Sequence, residues 1–407
     1  MGLPSHRLWA SAGISVIACV ACHTPPSGVF TDATPPPPVI DASMDEDTWG
    51  VVEPIPEAFD FPPWVTLPAP DTVVISWRSV LPSTGGVRFG TTPELSGLAP
   101  SIGEGMLHHV RLQGLARATT YYYQVEIDDT DARIAGQFTM PGRDEVRFVH
   151  MGEHHAASDS PQVAKFADQI RKFRPHFIVE SGDMTNSGDN LGDWRGYMRG
   201  SAPWISNVIL LPIGSNHVQG PGGNANFLDL FELPHNERWY RTRFGPVEVL
   251  SLDSTFAPQN PDIAAEEPAW VGEQTAKAHD GVDDPSFLIG AWHYPACSSH
   301  YKSRASLRNW VMDNFISQFK ANGGVDLVLV GHDKYYERST IGGIMHVQTA
   351  AGRLSPSTEG DNHADCSPQV TRTDLRSILL VRADDTSLIG TVVGQDGGFI
   401  DAFWLSR

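Results

Sequence analysis

Apolar and polar positions along the chain follow two rhythms, and the change between them falls just after residue 141. From about 63 to 141 the runs are short. Val73, Ile75 and Trp77 share one face of "TVVISW", and Tyr121, Tyr123 and Val125 share one face of "TTYYYQVEI". "GGVRFG", "HHVRLQGL" and "AGQFTMP" repeat the pattern, with turn residues between them. Side chains alternate faces along a strand, so this spacing predicts a small β-sandwich. From 144 onward the apolar runs become continuous: "VRFVHM" (146–151), "HFIVE" (176–180), "NVILLPI" (207–213), "VEVLSL" (247–252), "FLIGAWH" (287–293) and "DLVLVGH" (326–332). Such runs predict strands covered on both faces. Helical patterns lie between them. Ser160 and Pro161 take N-cap and N1 positions before Val163, Phe166, Ala167, Ile170 and Phe173 on one face. A second helix, about 304 to 321, turns Leu307, Trp310, Val311 and Phe315 inward and ends at "NGG" (322–324). Alternating strands and helices predict an α/β core with its functional groups at strand ends. The tail 377–406 reads as antiparallel strands closing a sheet.

The N-terminus follows neither rhythm. After Arg7 comes the apolar run "LWASAGISVIA" (8–18), too short to span a bilayer but suited to the h-region of a signal peptide. "VIAC" (16–19) resembles a bacterial lipobox, with Ala18 before a Cys19 that would carry the lipid. "CVACH" (19–23) also matches the haem-attachment spacing. The lipobox reading is preferred, because Cys19 adjoins the h-region and no haem-enclosing helical segment follows. Residues 1–22 are therefore read as signal peptide and lipobox, and 23–62, rich in Pro and acid, as a disordered tether. These readings predict an exported bacterial lipoprotein at the outer membrane, periplasm or cell surface, touching membrane only through its lipid.

Composition narrows the partners. The 407 residues carry 29 basic and 48 acidic side chains, a net charge of −19, which disfavours nucleic acid and anionic lipid. An anionic substrate would need a bound cation or a few local basic residues to hold it. Of 4 cysteines, Cys297 and Cys366 lie beyond the lipobox, and export permits either a bridge between them or two buried thiols.

Polar residues cluster where the apolar strands end: Glu153 and His155, then Asp183, Asn216 and His217, His293, and His332. A shared sheet edge would bring them together. Carboxylates, imidazoles and an amide oxygen suit a divalent transition metal, and a pair of such ions can acidify a bridging water and clamp a phosphoryl group. No G-x-S-x-G elbow, Gly-Lys phosphate loop or dinucleotide fingerprint is present. "RGYMRG" (195–200), with Trp194 and Trp204, could line a cleft or simply pack.

In order, strand-GE-x-H, GD, P-x-x-S-N-H, H-x-P and GH-x-x-YER resemble the calcineurin-like metallophosphoesterases, and most closely the purple acid phosphatase branch with its N-terminal fibronectin type III-like domain. "LARATTYYY" (115–123) resembles the tyrosine corner of that domain. The resemblance covers about 65–405. It implies a fibronectin III-like sandwich over 63–141 and, over 144–407, an α/β metallophosphoesterase sandwich of mixed sheets flanked by helices. It further implies hydrolysis of small phosphate esters with divalent or trivalent Fe, Zn or Mn. Asp183, Asn216, His293 and His332 match one metal seat; His217 matches the general acid or phosphate contact, and His300 a further phosphate contact. The other seat departs from the pattern: Glu153 replaces aspartate, Asn186 replaces the colour-giving tyrosine, and Lys334 replaces a histidine. Ser215 stands for the usual glycine, and Val218 for an acid. Three outcomes are open. Glu153, His155 and Asp183 could hold a weakened metal with Lys334 turned aside; the Lys334 ammonium could take that metal's place and help bind phosphate; or the protein could be a catalytically inactive phosphate- or ligand-binding lipoprotein keeping the fold.

Overall fold

A computed structural model describes Trp49 and residues 54–158, 161–218, 225–261, 263–300, 305–355 and 366–407, with the side chains of 161, 162, 305 and 366 outside that set. The signal segment, Cys19, Ser160 and most of the expected tether lie outside the described residues.

Seven strands come first: β1 (Phe59–Ala69), β2 (Thr72–Ser83), β3 (Gly85–Gly90), β4 (Gly97–Pro100), β5 (Gly105–Leu112), β6 (Thr119–Ile127) and β7 (Arg133–Met140). One group pairs in the order β4-β3-β6-β7, while β1, β2 and β5 pair side by side in another sheet. Val73, Ile75 and Trp77 of β2 bury with Val87, Tyr123 and Val125, as their alternation predicts. The Tyr121 hydroxyl accepts the Ala116 N–H at 2.9 Å, closing the corner before β6.

The difference from expectation is β1. Phe59, Asp60 and Phe61, placed in the tether by their prolines and acids, are buried strand residues. Pro62 and Pro63 lack an N–H, and the antiparallel ladder with β2 shifts register between Phe61 and Trp64. Past that irregularity β1 pairs in parallel with the core strand β10 (Ile209–Pro212), with Val65 opposite Ile209 and Thr66 opposite Leu210. The first unit thus shares a sheet with the second.

The remaining strands are β8 (Glu145–Met151), β9 (Phe177–Glu180), β11 (Tyr240–Phe244), β12 (Val247–Ser251), β13 (Phe287–Ala291), β14 (Leu327–Val330), β15 (Tyr336–Ile341), β16 (Ile344–Gln348), β17 (Cys366–Arg372), β18 (Ser377–Asp384), β19 (Ser387–Gly394) and β20 (Phe399–Ser406). They complete a nine-stranded sheet, β20-β19-β18-β8-β9-β10-β1-β2-β5, and a seven-stranded sheet, β11-β12-β13-β14-β16-β15-β17. The two sheets face each other, and Phe177 stacks on Phe148 at 4.8 Å and on Phe244 of the other sheet at 4.0 Å. Continuous apolar runs arise because each strand serves two cores. Val249, Ile289 and Leu329 enter the core between the sheets, while Leu250, Leu288 and Val328 enter a second one under the outer helices.

Helices cover both outer faces: α1 (Ala167–Phe173), α2 (Leu191–Gly200), α3 (Ala202–Ile205) and α4 (Ala225–Leu230) on one side, α5 (Glu266–Lys277), α6 (Ala305–Val311) and α7 (Ser317–Ala321) on the other. The long helix expected over 304–321 is interrupted by a π-turn at Met312–Ile316. Arg195 and Arg199 of α2 bind Asp60 (2.5 Å) and the Phe59 carbonyl (3.0 Å), and Trp194 and Trp204 are fully buried, so this segment packs against β1. Among the described residues no helix is long and apolar enough to cross a membrane.

Candidate metal centre

Parallel pairing of β8, β9 and β10, and of β13 and β14, sends the loops after them to one end of the facing sheets. Those loops carry the polar residues. The chain turns back sharply there, and Glu153, His155, Asp183, His332 and Lys334 all have positive φ, between 47° and 74°. Left-handed backbone at non-glycine residues costs energy and concentrates at functional sites.

One group forms around the Asn216 carbonyl. Its Oδ1 lies 2.8 Å from His293 Nε2 and 3.1 Å from His332 Nδ1, and those two nitrogens are 3.2 Å apart. Asp183 Oδ1 sits 3.3 Å from His293 Nε2. The opposite ring nitrogen, His293 Nδ1, is 2.8 Å from the Ser181 carbonyl. A carbonyl only accepts, so Nδ1 carries the proton and Nε2 is the nitrogen that faces the Asn216 and Asp183 oxygens. Burial holds the His332 pKa well below the ordinary range, leaving that ring neutral. Two oxygen acceptors and two imidazole nitrogens aimed at one point are a donor set for a cation, and these residues fit a transition metal.

The second group shares Asp183. His155 Nε2 lies 3.1 Å from Glu153 Oε2 and 3.3 Å from Asp183 Oδ2, and Asp183 Oδ2 is buried without a hydrogen-bond partner. His155, Asp183 and His217 offer ligand atoms within 4.8 Å of one another, as do Asp183, His293 and His332. His217 Nδ1 donates to the Asn186 carbonyl at 2.7 Å, which leaves its Nε2 as the reactive atom. Asn186 therefore acts here through its backbone.

Lys334 is not turned aside. Its Nζ lies 3.6 Å from Glu153 Oε2 and donates to the His332 carbonyl at 3.1 Å. Burial and the Asp183 charge push the Glu153 carboxyl up, but Lys334, His155 and His293 outweigh them and its pKa is lowered. Burial likewise opposes ionisation of Asp183, yet His293, His155, His217 and Lys334 hold its pKa far below the carboxylate range.

Eight of the nine predicted site residues therefore converge. His300 is held separately: Ser299 Oγ lies 2.8 Å from its Nδ1, and its backbone N–H donates to the Tyr335 hydroxyl at 3.1 Å. Cys297 is disulfide-bonded, and the side chain of Cys366, its expected partner, lies outside the described residues. Sequence reasoning missed the supports. Ser215 Oγ accepts the Asp183 N–H at 2.8 Å, so the serine in place of glycine fixes the shared aspartate. Asp333, between His332 and Lys334, is gripped by Arg308 at 3.1 and 3.2 Å, and burial pushes its pKa up to about 6 against that charge. Only the polar letter at a buried loop position could have flagged either.

Facing mixed sheets with metal-capable groups at their strand ends define a metallophosphoesterase fold of the purple acid phosphatase type. Purple acid phosphatase PPD1 from yellow lupin superposes with a TM-score of 0.65 at 15% identity, over 85% of this chain and 74% of that one. GAP50, the anchor in the inner membrane complex of Plasmodium, does so at 0.50 and 16% identity, over 65% of this chain and 89% of that one. Purple acid phosphatase 23 of Arabidopsis thaliana is 23% identical over 300 residues, 62% of this chain and 62% of its own length. This chain thus spans about three fifths of that relative. No family model matches the chain.

Proposed function

We propose that this protein is a metal-dependent phosphoric ester hydrolase acting on small phosphate esters. The observation that carries the reading is the convergence of Asp183, Asn216, His293 and His332 on one point, with Asp183 reaching into a second group. A metal of the Fe, Zn or Mn type held there would acidify a water and polarise the phosphoryl oxygens. Around it the chain does the rest. Ser181 and Ser215 hold His293 and Asp183 in place. His217, with its Nδ1 proton committed to Asn186, gives and takes a proton at Nε2 beside the leaving oxygen. Lys334 offers a fixed positive charge next to Glu153 and Asp183, standing in part for an ion on the Glu153 side and drawing the phosphate in.

The pairing of Lys334 with Glu153 also favours a second reading. A carboxylate engaged by an ammonium is a poorer ligand, and an ammonium acidifies water far less than a divalent ion, so a phosphate-binding protein without turnover is the alternative. Metal analysis and aryl-phosphate hydrolysis separate the two, on wild type, Asn216→Ala, His217→Ala and Lys334→His. The hydrolase reading expects one firmly held metal per chain, weakened at least roughly tenfold in Asn216→Ala, and loss of turnover in both alanine variants. Phosphate binding without hydrolysis under every metal and pH would establish the binding protein instead. A gain in metal content and rate in Lys334→His would mark the lysine as the cause of a lost seat.

We further propose export as a lipoprotein anchored at Cys19, supported by "LWASAGISVIAC". The first unit is read as fibronectin III-like, supported by its strand order and the Tyr121–Ala116 corner.

A further inference from the structure

Behind His300 runs a hydrogen-bond chain that the reaction above leaves unused, and it ends on the buried carboxylate of Glu337, 5% exposed. Glu337 Oε2 accepts from the Tyr335 hydroxyl at 3.1 Å, from the Ser299 N–H at 3.3 Å, and from the Ser299 hydroxyl. Ser299 Oγ is also 2.8 Å from His300 Nδ1. A hydroxyl has one proton, and that of Ser299 is given to the carboxylate, so toward His300 the same oxygen accepts. His300 Nδ1 therefore bears hydrogen, and Nε2 is the atom left for a ligand. The backbone of His300 is fixed by the same assembly, since its N–H donates to the Tyr335 hydroxyl, which meets Ser298 Oγ at 2.6 Å. Tyr335 and Glu337 belong to the loop and strand that directly follow His332 and Lys334, so the chain couples His300 to the segment carrying the metal-centre residues. Burial works against the charge on Glu337, while the Ser299 and Tyr335 donors and the nearby His300 work for it. The carboxylate is thus buried, satisfied by several donors and close enough to His300 to interact with its charge.

We propose that Glu337, acting through Ser299, is a positioning residue that fixes the ring orientation and proton placement of His300 so that its Nε2 meets a phosphate oxygen. This rests on the reading of His300 as a phosphate contact. The test is calorimetric titration of the metal-loaded full chain with inorganic phosphate, alongside KM and kcat for an aryl phosphate. The variants are His300→Ala, Glu337→Gln, Ser299→Ala and the double variant Glu337→Gln with His300→Ala. Expected is a roughly tenfold loss of phosphate affinity in Glu337→Gln and Ser299→Ala, the scale of a charge-assisted hydrogen bond. KM should rise more than kcat falls, and the double variant should be no weaker than His300→Ala alone. If Glu337→Gln does not fold, the half-buried Ser299→Ala carries the comparison. Loss of affinity in His300→Ala but not in Glu337→Gln or Ser299→Ala overturns the relay, as do additive losses. Unchanged affinity in His300→Ala instead overturns the phosphate-contact reading beneath it.

Discussion

Gly182 is closely confined at the centre. Its φ is +100°, and an added Cβ would meet Ser215 Cβ at 2.6 Å and His293 Nδ1 at 2.8 Å. An alanine there has two faults, a backbone conformation that L-residues avoid and a methyl group against the ring that the Ser181 carbonyl orients. Displacing that ring turns its lone pair off the shared point. Gly182→Ala should therefore lower metal affinity roughly ten- to a hundredfold, the cost of disturbing an outer partner of a metal-binding histidine, as read by competition with a chromogenic chelator. Ser215→Ala tests the other support. It leaves the buried Asp183 N–H without its acceptor, at a cost of about 1–3 kcal/mol, measured by denaturant unfolding, and it loosens the aspartate that both groups share. At this scale the identities of the centre were legible in the sequence, because Asp183, Asn216, His293 and His332 each follow an apolar run directly. Their supports were not, since a backbone carbonyl such as Ser181 or a hydroxyl such as Ser215 has no signature in spacing.

Among the elements, strands marked by continuous or alternating apolar positions were legible, and those broken by proline or by buried polar residues were hidden. β8, β9, β10, β12, β13 and β14 fall on the predicted runs because both faces of each are covered. β1 was hidden by Pro62, Pro63 and Pro68, whose missing N–H groups argue against a ladder until a bulge and a change of partner absorb them. β15 and β16 were hidden by polar letters: Glu337, Arg338, Ser339 and His346 are all buried. Burial of histidines within elements has a consequence for stability against pH. Burial holds His150 on β8 and His346 on β16 down to about 3, and burial with the Arg147 charge holds His176, at the entry to β9, down to about 4. His176 Nδ1 also accepts the Arg147 N–H at 3.0 Å, which only an unprotonated nitrogen can do. All three pKa values lie below the ordinary 6.5, so the unfolded chain binds protons that the folded one refuses. Their contribution is whole above pH about 6.5 and is lost as pH falls toward 4 and then 3, at roughly 1.4 kcal/mol per pH unit for each histidine. His346→Leu should remove one such proton. Urea midpoints at pH 7 and pH 4.5 should therefore differ less in the variant than in wild type.

Across the whole molecule, the shared sheet makes the first unit part of the second. Beyond the β1–β10 pairing, Trp64 Nε1 donates to the Leu230 carbonyl at 3.1 Å, Ser206 Oγ to the Pro63 carbonyl at 2.6 Å, and Tyr123 to the Ser206 carbonyl at 2.7 Å. Asp60 receives Arg78 from β2 and Arg195 from α2. Gln137 of β7 gives its N–H to Asn207, in the loop before β10. These contacts tie both sheets of the first unit to α2, to α4 and to the turn that enters β10, the strand that leads toward Asn216 and His217. Removing residues before 144 would expose the open edge of β10, uncover the Trp64 contact surface of Phe231 and take away the contacts that Pro63 and Tyr123 make to Ser206 and that Gln137 makes to Asn207. A chain starting at 144 should therefore be insoluble or molten, and the intact chain from 54 onward should unfold in one transition by calorimetry, with metal-site and tryptophan signals lost together. Two separate transitions, or a soluble 144–407 fragment that still binds metal, would mean that the shared sheet is a contact between independent domains. A single transition would place the stability of the centre partly in β1, so that changes at Pro62 or Trp64 reach His217 through β10 without touching it.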